Sequence, residues 1–124
     1  MEQKLLEQLN RWHEEEAFQK IIDAVENIEE HDYDTICHLA RAYNNRGEEG
    51  DYEQAIALLQ MVGDLGREDP LWHYRLGYAY FYSGCYEEAE AAFAQALQLE
   101  PGDEDARWFA RASREAMLRE RGEY

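Results

Sequence analysis

Three segments of this chain repeat one another. They are AFQKIIDAVENI from Ala17, AIALLQMVGDL from Ala55 and AEAAFAQALQL from Ala89. Each opens on Ala, places a large apolar residue four positions on (Ile21, Leu59, Phe93) and a smaller one seven on (Ala24, Val62, Ala96). The segments before them repeat as well: Leu39-Ala40-x-x-Tyr43 stands 37 residues before Leu76-Gly77-x-x-Tyr80, and Ala55 stands 34 before Ala89. The difference of three is absorbed by a longer turn at Glu48, Glu49 and Gly50. A period of this length constrains the fold more than any single motif, because one such unit cannot bury its apolar face alone and must stack on a neighbour.

Apolar spacing makes every unit helical. Leu5, Leu6, Leu9 and Trp12 predict a first helix, and Ala17 to Ile28 a second. A third is expected over about Tyr33–Arg46 and a fourth over about Tyr52–Leu65. Asp69-Pro70 opens a fifth, since Asp caps well and Pro suits the first helical position. It ends near Ser83-Gly84. A sixth covers about Tyr86–Leu99 and is stopped by Pro101-Gly102, and a seventh runs from about Asp103 to Arg121. No strand is expected.

Leu76-Gly77-x-x-Tyr80, Ala89-x-x-x-Phe93, Ala96 and Pro101 resemble the tetratricopeptide repeat, residue for residue. The match is specific over 70–103. It is weaker over 33–69, where the turn is longer and no terminal Pro stands, and it reaches only the second helix of 1–32. His73 occupies the family's usual Trp position, with Trp72 beside it. The resemblance implies an all-α fold: a single domain over 1–124, an α-solenoid of about three helix hairpins with a capping helix over 104–124, wound as a right-handed superhelix. It also implies that the first helix of each hairpin lines a concave groove.

Seven of the chain's sixteen aromatic residues fall between Trp72 and Tyr86. Leu76 and Tyr80 belong to the packing face, and Tyr86 packs over the turn. Tyr74, Tyr78, Phe81 and Tyr82 form another stripe, which the resemblance places in the groove; core packing is the competing reading. The repeat spacing projects this stripe onto Cys37, Arg41, Asn44 and Asn45 in the third helix and onto Trp108, Ala112 and Glu115 in the last. In the first helix it reaches Gln3, Glu7, Asn10 and Arg11. Arg75 and His38 lie beside the stripe. An apolar anchor with a carboxylate or main-chain amides, held near Arg41 and Arg75, would suit such a groove. Some family members hold an acidic C-terminal peptide in a clamp of Lys, Asn and Arg. Arg75 stands at one clamp position, but Leu71, Cys37, His38 and Arg41 occupy others, so that clamp is not carried over.

The net charge of −16 leaves no basic footprint for nucleic acid and disfavours an anionic membrane. It is uneven: residues 1–34 carry 11 acids and 3 bases, whereas 104–124 carry 5 of each. A solvated surface explains the excess, and steering of a basic partner is the sharper alternative. Arg107, Arg111 and Arg114 share one face of the last helix, read as a solvated cap or as a contact for an acidic partner or a second copy. No apolar run would span a bilayer, and Met1-Glu2-Gln3-Lys4 does not begin a secretory leader. Cys37 and Cys85 are isolated, which suggests a reducing cytoplasm, no disulfide, and two thiols open to reagents.

Catalytic chemistry finds little purchase. His13-Glu14-Glu15-Glu16 lacks the second His of HExxH, and His31, Cys37 and His38 form no ligand set with plausible spacing. No phosphate loop or nucleophile elbow is present in the sequence. No cofactor, metal or catalytic residue is expected. The expected function is a non-enzymatic module for a protein or peptide segment, with self-association as the second reading.

Overall fold

A computed structural model describes residues 2–123; Met1 and Tyr124, the outermost residues of the expected domain, lie outside them. The fold is all-α, consistent with a helical repeat solenoid. Among the described residues the helices are α1 (Gln3–Glu14), α2 (Phe18–Glu26), α3 (Tyr33–Arg46), α4 (Asp51–Met61), α5 (Gly63–Gly66), α6 (Pro70–Tyr82), α7 (Tyr86–Leu99) and α8 (Glu104–Glu120). They form two compact units, 1–62 and 63–124. The boundary falls inside the second of the expected repeats.

The fourth expected helix is two helices. Val62 leaves helical geometry at φ −113°, ψ 23°, and Gly63 begins the short α5. A glycine inside an apolar pattern weakens a helix by about 1 kcal/mol, and packing decides the rest. Gly66 lies flat under the indole of Trp72: a Cβ built there would sit 2.3 Å from Trp72 Cγ. Only bare backbone lets α5 and α6 approach so closely.

Within residues 1–62, each helix packs on its neighbour in sequence. Leu9, Ile21, Ile22, Val25, Ile36, Leu39, Ala40, Ala55 and Leu59 are buried there. Asp32 caps α3 by accepting from Thr35 N at 2.8 Å, while Thr35 Oγ1 accepts from Asp32 N at 2.9 Å, a reciprocal capping box. The longer turn after α3 is held by charge. Asp51, buried to 3% exposure, takes both arms of Arg46, from Nε at 2.8 Å and Nη2 at 2.7 Å. It also accepts from Glu48 N at 2.9 Å. These bonds hold the Asp51 carboxyl below its ordinary value, the Arg46 hydrogen bonds first and the turn amide next, against the opposing effect of burial. Arg46 also reaches Gln19 Oε1 at 2.6 Å and lies 5.4 Å from the Tyr43 ring centre. Tyr43 donates its hydroxyl to Glu26; burial, and then that carboxylate, push the phenol up to about 12.

Within residues 63–124, α6 packs on α7 and α7 on α8, with α8 also reaching α6. Asp69 accepts from Leu71 N at 3.0 Å, with Pro70 at the first helical position, and Asp103 accepts from Ala106 N at 3.0 Å. The expected small residues stand at the hairpin crossing. Ala89 is fully buried, and a Cβ on Gly77 would meet three Phe93 ring atoms at 3.0 Å. The large residue at the fifth position of all three repeated segments, Ile21, Leu59 and Phe93, is 0% exposed.

Candidate peptide-binding surface

The crowded aromatics of α6 gather on a residue from another helix. Phe109 of α8 meets Tyr74 at 6.0 Å, Tyr78 at 5.6 Å, Phe81 at 5.3 Å and Tyr82 at 6.1 Å between ring centres, all steeply inclined. It stacks on Phe93 at 5.1 Å and takes the edge of Trp108 at 5.0 Å. Along α6, Tyr74 and Tyr78 are 6.5 Å apart and Tyr78 and Tyr82 4.7 Å. Phe81 also meets Tyr86 at 5.5 Å, which seats Tyr86 over the α6–α7 turn as the spacing predicts. Inclined rings at these separations add to the gain from burial alone.

This cluster has an inner and an outer part. Phe93 is fully buried, while Tyr74, Tyr78, Phe81 and Phe109 are half-buried. Tyr82 is 47% and Trp108 60% exposed, and both rest on Phe109. The stripe is therefore packed along one edge and open along the other, so neither of the two readings from the sequence describes it whole. Burial raises the Tyr74 phenol first, and the Asp105 and Asp103 carboxylates raise it further, up to about 12.

Projection by the repeat spacing missed Phe109. It set Trp108 opposite Tyr74, one residue away from the ring that faces inward. The signal was in α8 itself: Ala106, Phe109, Ala110 and Ser113 recur at helical spacing, with Ala106 and Ser113 buried and the other two half-buried.

The remaining candidates divide between the units. Arg75 is half-buried on α6, on the flank that carries Tyr78 and Tyr82 one and two turns on. Arg41, Asn44 and Asn45 share α3 in residues 1–62: Arg41 is half-buried and Asn45 exposed, but Asn44 is buried. Cys37 corrects the expectation of an open thiol, since the close-packed α3 leaves it only 4% exposed. Cys85, in the α6–α7 turn, is half-buried. His38 belongs to a pair absent from the sequence reading. Its Nδ1 lies 3.1 Å from Nε2 of buried His13, with the rings stacked at 5.2 Å. His31, considered beside it, is exposed.

Comparison with known families now bears on this geometry. Residues 70–103, which span α6, α7 and the turn after them, match the family model of the tetratricopeptide repeat. The match covers 34 of the 124 residues. No curated protein matches the chain. The tetratricopeptide repeat is an architecture of protein–protein interaction, and the matched segment carries the tyrosines of α6. Among the described residues no helix is long and apolar enough to cross a membrane.

Proposed function

We propose that the chain is a non-catalytic adaptor or scaffold module that binds a peptide or protein segment over the open edge of its aromatic cluster. Tyr78, Tyr82 and Trp108 would supply the contact, Tyr74 and Phe81 the wall behind it, and Arg75 a polar contact at its flank. The observation that carries this reading is the exposure of Tyr82 and Trp108 on a packed ring, Phe109. A large side chain held rigid by packing loses little freedom on binding, and Trp, Tyr and Arg dominate measured interface energies. Cys37 and Cys85 stand as thiols, which suits a reducing compartment such as the cytoplasm.

Affinity capture from the native cell tests this reading, with wild type compared against Tyr82→Ala and Trp108→Ala. A partner retained by wild type and lost from both variants, with helicity unchanged, supports it. Equal capture by all three removes it. Self-association is the second reading, favoured by one observation: exposed Trp108 is flanked by Arg107 and Arg111 in a chain whose residues 1–34 are strongly acidic. Sedimentation over a range of concentrations separates the two, since a constant monomer leaves no place for self-association.

A further inference from the structure

His13 and His38 join two helices that are not neighbours in sequence, α1 and α3. Nε2 of His13 lies 3.1 Å from Nδ1 of His38, and the rings stack at 5.2 Å with 28° between their planes. His13 is 7% exposed and His38 half-buried. A contact of this kind needs one hydrogen between the two nitrogens: one ring donates it and the other accepts through its lone pair. A neutral pair meets that condition. So does a pair with one added proton, which sits on the outer nitrogen of the donating ring. A second added proton has no such place. Both inner nitrogens would then carry hydrogen, and two like charges would stand against each other in a part-buried site.

The contact matters most to α1. That helix packs on α2 less extensively than α2 packs on α3 or α3 on α4, and Leu9 and His13 are its buried residues. The surrounding charges do not lift the constraint. Glu16, whose N donates to His13 O at 3.1 Å, is exposed, as is Asp34 one turn before His38, whereas Arg41, three residues after it, is half-buried. From α2 the ring of Phe18 meets His13 at 6.5 Å, and Lys20, Asp23 and Glu26 are exposed. On α4, which packs on α3, Asp51 is held by Arg46 and Glu53 is exposed. The carboxylates ease one charge on the pair and Arg41 opposes two. A gap of 3.1 Å between the nitrogens admits no other acceptor.

We propose that the His13–His38 pair is an acid-sensitive latch, which releases α1 from α3 when both imidazoles become charged. Free imidazoles titrate at about pH 6.5, so both are charged by about pH 5. The latched pair then holds one proton fewer than the released pair. Its contribution is complete above about pH 7 and weakens as pH falls, by up to about tenfold per pH unit below about pH 6. That window lies above the carboxylate range of about pH 4 and is separable from acid effects on Asp51 and the helix caps.

Amide hydrogen exchange of the full chain, corrected for the intrinsic effect of pH, tests the latch. Protection of the α1 amides should fall about tenfold between about pH 6 and about pH 5, while that of α7 stays level. His38→Asn should remove this dependence, because the Asn oxygen stands near the place of Nδ1 and accepts from His13 whether or not that ring is charged. Level α1 protection in wild type overturns the proposal. So does an equal fall in His38→Asn, since acid then acts elsewhere. If His38→Asn frays α1 at every pH, imidazole NMR of wild type decides. Two protons taken up by the pair with α1 still protected overturn the latch; a second proton taken up only as α1 opens upholds it.

Discussion

The two units hold their helices together by different means. Residues 63–124 follow the repeat register, and rings fill the space between helices: Phe93 under Gly77, and Phe109 under the α6 tyrosines. Residues 1–62 bury the repeat positions Ile21 and Leu59 as well, and add polar ties, namely the Arg46–Asp51 pair across the lengthened turn, Tyr43 to Glu26, His13 to His38, and the Asp32–Thr35 box. The contrast has a physical reason. A regular hairpin repeats the same steric solution and needs only apolar residues of the right size. An insertion leaves backbone groups and a turn without a template, and directional bonds must then fix its geometry.

Removing one member of the polar tie attacks the first unit hardest. Asp51→Ala leaves the Arg46 guanidinium and the Glu48 amide without their acceptor, and should cost about 3–4 kcal/mol in urea unfolding. The same pair sets an acid limit. Its folded pKa is depressed, so its contribution is complete above about pH 4 and is lost as pH falls through the lower folded value. Wild-type stability should therefore fall more steeply than that of Asp51→Asn below that pH; parallel curves would show that the pair does not stabilise the fold.

In the second unit the corresponding change is Phe109→Ala. The ring is only half-buried, so the loss should be about 2–3 kcal/mol, below the range for a fully buried Phe. A loss within experimental error would mean that α6 and α7 hold the cluster without α8. Gly77→Leu should cost about 2 kcal/mol by forcing Phe93 off its rotamer; an unchanged melting temperature would break the packing register. The smallest effect is chemical. Cys85 should react with a thiol reagent well before Cys37, which labels only as the fold opens. Equal rates would contradict the burial of α3.

These tests also mark where the sequence was legible. Helix positions and the crossing at Gly77 and Ala89 follow from spacing and side-chain size, both local. The break at Gly63 was not legible, because the apolar spacing runs on through it and the packing of Trp72 against Gly63 and Gly66 is a contact between helices that spacing does not show. Nor was the Arg46–Asp51 tie, since it spans an insertion for which the repeat offers no comparison. The candidate site was half legible. The tyrosine stripe could be read along α6, but the ring that backs it could not. A translation by whole repeats carries Arg75 onto Phe109 and Tyr74 onto Trp108, whereas on α8 it is Phe109 that packs inward and Trp108 that is exposed. Cys37 failed for a related reason, because the projection assigned it an open face that the packing of α3 closes.

The indole of Trp72, sealed against the bare backbone of Gly66, has an optical consequence. Shielded from water, it should emit at short wavelength and resist quenching by iodide until the chain unfolds. Trp108, 60% exposed, should emit at longer wavelength and be quenched freely in the folded protein. A segment settling over Tyr82 and Trp108 would then shift the red component and spare the blue one. Unfolding would move the blue component instead, so once the half-buried third indole is removed by Trp12→Phe, the protein carries two spectroscopically distinct reporters and needs no added dye.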